Sequence, residues 1–403
     1  MKYRMLTVST AAIVVATAFG AAHAKSWCAN PLWVHEWGVH AFGADGAPAA
    51  GTPTPGYFHT SAEATRPGVP VREMPPDSGI RDLPVVHFYS GGMRRDTIPV
   101  GVEVGFTFGA ASAWFPAADT VRAATVANSP GSALARTELL AKRAARADDR
   151  RTWTGEAPAL PPDPTRQLVW SRLDLAKRPG GMPAGLIPSW VQTARKIDGA
   201  LWVNGSNETE RFLFYEGRTV ERVLLKLERA AGWRADRRAY TLTNTGAHTV
   251  HDVFVVHNEG DASYVVTAPA VPPGAHFEVV LEDHPVKDRD AATVTVLRER
   301  LVDPKSPSPP KGYDWTEGEC VMGRDPAVPV ERAAGYHLYR AEADLLLEVW
   351  KARFFAAPGT TIVYREDVAY LDQAMPMSLY TDMFNFVVLH RAGLAVWEHV
   401  VLP

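Results

Sequence analysis

Alternation of apolar and polar residues, rather than helical spacing, dominates this chain. Val100, Val102, Val104, Phe106 and Phe108 alternate with smaller or polar residues over 98–108, the period of two that a half-buried strand requires. Val85 to Ser90 precedes this run as a second strand, with Gly91-Gly92 as the turn between them. Further short strands are predicted at 167–173, 200–203, 210–215, 223–227, 239–243, 250–256, 264–267 and 276–281. Asn244-Thr245-Gly246 and Pro272-Pro273-Gly274 supply turns between the later ones. Evenly spaced short strands with turn signals between them predict antiparallel sandwiches.

Two segments break the pattern. Ser132 to Arg151 carries Ala, Leu, Lys and Arg at helical spacing and reads as a helical insertion with a solvated basic face. Residues 331–357 predict an amphipathic helix: Leu338, Leu345, Leu346, Val349, Trp350 and Phe354 share a face, and Pro358-Gly359 ends it. Final strands follow at 361–364 and 386–400, whereas proline-rich 43–84 has no period and predicts an irregular arm. The expected fold is mainly β, two antiparallel sandwich-like units with a helical insertion and a C-terminal amphipathic helix. Its segments are 1–24, a signal peptide; 25–84, an N-terminal segment and arm; 85–220, a β-rich domain holding the insertion near 132–151; 221–300, a β-sandwich-like domain; and 301–403, a linker, the helix and the last strands.

The signal is read from Lys2 and Arg4, the apolar run 5–22 and the Ala22-His23-Ala24 cleavage box. It predicts a secreted or periplasmic protein, with no later run long enough to span a membrane. Without Lys2 and Arg4 the balance is 40 basic against 45 acidic residues, net −5, which argues against nucleic acid or an anionic membrane as partner. An oxidising compartment makes a disulfide between Cys28 and Cys320 the expectation for the only two cysteines; two separate buried thiols are the alternative.

The densest chemistry is Trp33-Val34-His35-Glu36-Trp37-Gly38-Val39-His40. His35 and His40 are five apart, not the four that puts two ligands on one helix face, so this is no zincin helix. If extended, the two point to opposite faces and could share a metal only across a turn at Gly38. A metal centre would draw on His35, His40, His59 and His87, imidazoles suiting zinc or copper, with Glu36 as candidate general base. Against this stands a structural role, the histidine or Glu36 bonding buried groups while Trp33 and Trp37 pack. A third use is a ligand-contacting surface. No nucleophile elbow and no phosphate-binding glycine loop is present. His248, His251 and His257 with Asp252, Glu259 and Asp261 read as solvated strand edges, and Met375 and Met377 near His390 and His399 as a core methionine pair rather than a copper site.

Three phrases resemble an uncharacterised family of secreted bacterial proteins whose mature chains open with Val-His-Glu-Trp-Gly-Thr. Val34-His35-Glu36-Trp37-Gly38 matches that opening, with Val39 in place of Thr. Pro84 to Ser90 with Ala113 to Pro116, and Glu210 to Gly217, are similar to two later family phrases, His87 and Phe115 departing from the usual aromatics. The resemblance implies a β-rich architecture with a terminal helix and carries no activity. The expected function is therefore binding or scaffolding in the cell envelope, with an envelope component or a small ligand as partner. The alternative is a metal-dependent periplasmic enzyme centred on His35, Glu36 and His40.

Overall fold

The computed structural model describes residues 30–49, 55–60, 78–93, 96–106, 110–121, 151–153, 167–181, 187–205, 207–220, 223–231, 233–234, 237–281, 289–310, 335–382 and 385–403. The fold is mainly β and sandwich-like. A nine-stranded sheet runs in the order β15 (Ala262–Val271), β14 (Val250–Glu259), β17 (Gly359–Arg365), β19 (Asn385–Val400), β1 (Asn30–Phe42), β3 (Ser78–Ser90), β11 (Leu213–Val220), β5 (Ala110–Phe115), β2 (His59–Thr60). A second sheet orders β10 (Glu208–Glu210), β9 (Trp202–Gly205), β8 (Gln167–Ala176), β4 (Thr97–Gly105), β18 (Met377–Asp382) and β7 (Arg151–Trp153), with β6 (Thr120–Val121) beside β8. β12 (Leu225–Arg229), β13 (Arg238–Asn244) and β16 (His276–Leu281) make a third.

The large sheet is buried on both faces, which explains why its central strands read as nearly continuous apolar runs. Along one face, Leu32, Val34, Val86 and Phe88 pack with Val102 and Leu173 of the second sheet. Further along that face, Phe42, Val253, Val255 and Ile362 pack with Leu227 and Leu242 of the third. These are the two sandwich units, and they share one sheet. The opposite face carries Trp37, Val39, Phe254 and Val396 against helices α1 (Ser189–Ala194), α2 (Arg289–Leu301) and α3 (Arg340–Lys351).

Several elements differ from expectation. Two parts of the arm are strands: β3 begins at Ser78, and His59–Thr60 pairs with β5. The C-terminal helix starts at Arg340 rather than 331, because Gly335 and Leu338 form extended bridges to His390 and Val302. It continues as a π-turn over Ala352–Ala356, and Trp350 and Phe354 are core residues as expected. α2 replaces the end of the predicted sandwich domain. β14 lies inside its sheet, and its histidines are partnered: His251 reaches Asp367 at 3.0 Å and His257 reaches Thr360 at 2.9 Å. Met375 and Met377 are buried in the core. Apart from Arg151, the helical insertion lies outside the described residues, as do Cys28 and Cys320 and the signal segment. Among the described residues no helix is long and apolar enough to cross a membrane.

Candidate functional site

β1 holds the centre of the sheet between two strands remote in sequence. β19 runs parallel to it with His35 opposite His390 and Glu36 opposite Arg391; β3 runs antiparallel with His35 opposite His87. Successive side chains of a strand point to opposite faces. His87, His35 and His390 therefore stand abreast toward the helices, while Glu36 and Arg391 face the other way.

The first turn of α3 delivers Glu342 onto the histidines. Its carboxylate accepts the Tyr339 backbone N–H at 2.8 Å, the reciprocal half of a capping box. The same oxygen lies 2.7 Å from His35 Nδ1, and the second lies 3.3 Å from His87 Nδ1. Glu342 is fully buried, which pushes its carboxyl up, but the charge and hydrogen bond of His35 and then the contacts of His87 outweigh burial and hold it at about 2. It is thus ionised at neutral pH, and His35 Nδ1 is the donor. The tyrosines close the group: Tyr339 lies 4.4 Å and Tyr89 5.4 Å from His35, centroid to centroid. Burial and then the Glu342 charge push both phenols well up, so they stay neutral. Trp37 stacks over His87 at 6.4 Å.

His390, 5.0 Å from His35 between ring centroids, is pushed down to about 4, by burial first and then by His35 and His337.

On the reverse face Arg391 is completely buried. Its Nε donates to Glu36 Oε2, its Nη2 to Glu36 Oε1 at 3.0 Å and to the Met375 carbonyl at 2.8 Å, and its Nη1 to Asp372 at 2.7 Å. Tyr215 donates its hydroxyl to Glu36. Burial lowers the Arg391 guanidinium, but Glu36 more than reverses this and the group stays charged. The nearby cavity, lined by Glu36, Gly38, Leu371 and Gly393, measures about 10 Å³, no more than one water needs.

Of the four histidines expected as metal ligands, the fold brings together His35 and His87. His40 is buried on the opposite face from His35, its ring 4.1 Å from that of Phe42. His59 sits at the far edge of the sheet, its Nε2 3.0 Å from both oxygens of Glu208. Glu36 faces away from His35 and is taken up by Arg391 and Tyr215. Among the described residues no group of three or more His, Cys, Asp and Glu side chains is arranged to hold a metal ion. Sequence reasoning missed Glu342, Arg391, Tyr89 and Tyr215. One signal was available: His390-Arg391 interrupts an apolar strand just as His35-Glu36 does. No family model, curated protein or solved structure matches the chain.

Chemically, Glu342 and His35 form a carboxylate–imidazole pair of the kind that orients a base. Among the described residues no serine, threonine or cysteine nucleophile joins them, and their surroundings are aromatic and closed.

Proposed function

We propose that this chain is a secreted or periplasmic binding or scaffolding protein of the cell envelope. In this reading its His-Glu-Trp-Gly strand is an internal seam rather than a reaction centre. The carrying observation is the state of Glu36. A general base needs an accessible oxygen within reach of a substrate proton; both oxygens of Glu36 are engaged by Arg391 and Tyr215 inside the core.

The metal-enzyme reading keeps one point in its favour, two imidazole nitrogens within 3.3 Å of a single buried carboxylate. Against it, His40 and His59 lie elsewhere, and His35, His87 and Glu342 do not form a group arranged to hold zinc or copper. Elemental analysis of protein purified from its native compartment separates the two. Metal-free protein in which His35→Ala costs about 1–3 kcal/mol, from the partner left unsatisfied, supports the seam. Close to one transition metal per chain, lost in His35→Ala with little change in melting temperature, would sink it.

A further inference from the structure

β15 closes one end of the nine-stranded sheet, and among the described strands only β14 pairs with it. Its outer backbone groups present a ladder ready for another strand, the kind of edge that natural sheets shorten or charge against stray pairing. The other edges obey that rule. β2 has two residues, β7 and β10 have three, β12 carries Lys226 and Glu228, and β16 carries Glu278. β15 has ten residues and no charge. Pro269 interrupts it only near its end, so Ala262 to Ala268 runs without a breaker.

Side chains along this run lack cover on the same outer side. Val265 and Val266 stay half-buried, whereas Val256 and Val255, opposite them on β14, are 0% and 1% exposed. Thr267 is exposed. Val265 packs toward the helices, and Tyr264, Val266 and Ala268 pack toward the third sheet. A strand added at this edge would therefore extend both packed faces at once.

Residue order within the run fits a second copy of the same strand. Read outward from Val265, the run nearly mirrors itself: Tyr264 matches Val266, Ser263 matches Thr267 and Ala262 matches Ala268. Two copies laid antiparallel about a two-fold axis at Val265 would set each of these residues opposite its match. Aromatic with β-branched, and serine with threonine, are cross-strand pairs that stabilise antiparallel sheets, and a two-fold contact must be self-complementary in this way. The antiparallel direction also holds the two acidic Glu259-Gly260-Asp261 turns at opposite ends of the contact; a parallel pairing would set them side by side. We propose that β15 is a dimerisation edge: a second copy of this chain pairs with it antiparallel, Val265 facing Val265, and joins the two large sheets into one. The contact uses no residue of the His35–Glu342 cluster and is compatible with either reading of the function.

Sedimentation velocity of the full chain tests this, with two cysteine variants to fix the register. A concentration-dependent dimer is expected. Val265→Lys, which sets like charges directly opposite, should abolish it with far-UV circular dichroism unchanged. Val265→Cys should give a disulfide-linked dimer on oxidation, since directly opposite Cα atoms lie about 4.5–5.5 Å apart, within bridging range. Thr267→Cys should not, because its counterpart would stand four residues away, about 13 Å along the strand. A chain that stays monomeric at every concentration overturns the dimer and leaves the edge to an extended segment of another protein. A dimer that survives in folded Val265→Lys, or cross-linking that is absent in Val265→Cys or equal in both cysteine variants, overturns it as well. Should Val265→Lys not fold, the cysteine pair decides.

Discussion

Replacing Arg391 by methionine is the sharpest perturbation of the seam. Methionine keeps the apolar stem of the side chain and removes the guanidinium with its charge and every donor. Glu36, 5% exposed, is left as a buried carboxylate whose remaining side-chain donor is the Tyr215 hydroxyl. Asp372 is a third exposed and rehydrates; the Met375 carbonyl loses a partner inside the core. Removing one member of a buried pair costs about 3–5 kcal/mol, a large part of the 5–15 kcal/mol that holds a typical domain together. Glu36→Leu should also destabilise, by taking two of the guanidinium's four contacts and leaving it Asp372 and the Met375 carbonyl. The double variant, with no buried charge left on either side, should be less damaging than the sum by about 2–3 kcal/mol. Urea unfolding followed by far-UV circular dichroism measures all three. Single losses under about 1 kcal/mol, or strict additivity, would refute the assignment of this pair as a structural lock.

Three further outcomes follow from the same geometry. Glu342 has a folded value of about 2 against about 4.3 when unfolded, so its contribution is present above about 4.3 and lost as pH falls toward 2. It amounts to on the order of 3 kcal/mol, and the gap in urea midpoint between wild type and Glu342→Gln should narrow between pH 6 and pH 3; an unchanged gap contradicts the assignment. Trp37, fully buried and stacked on His87, should cost about 3–5 kcal/mol on change to alanine, and half-buried Trp33 clearly less; equal losses would disprove the difference in their packing. Mass spectrometry of the exported protein should find Lys25 at its N-terminus and no alkylatable thiol without reductant; an intact Met1 terminus, or two free thiols, would refute export with a Cys28–Cys320 bond.

What the sequence shows clearly is period. Alternation located most strands, and it also predicted that His35 and His40 face opposite ways, as they do. It failed where local pattern and burial disagree. Residues up to 300 were placed in the β-sandwich-like segment, yet Val296 is 39% exposed while Leu297 and Leu301 are buried at helical spacing, and the segment is α2. The start of α3 was placed too early because Tyr339 is not one of the usual capping residues and the segment before it continues the apolar spacing through Leu338. The site itself was legible only by halves. His35 meets Glu342 across 307 residues and Glu36 meets Arg391 across 355, separations that no local period encodes.

The placement of these polar groups answers a problem that the topology creates. β1 and β19 pair in parallel at the centre of the large sheet, and both are flanked by apolar residues that tolerate more than one alignment. A slip of one residue turns every side chain of a strand to the wrong face, which burial alone forbids. A slip of two preserves the faces, and apolar packing opposes it only weakly. Here it would set Arg391 opposite Val34 or Gly38, and Glu36 opposite Leu389 or Gly393, stranding both charges in the core. Two buried unpaired ions cost far more than the shift could recover in packing. The Glu36–Arg391 pair thus specifies one register for two strands drawn from opposite ends of the described chain, a role that requires both groups to be buried and paired.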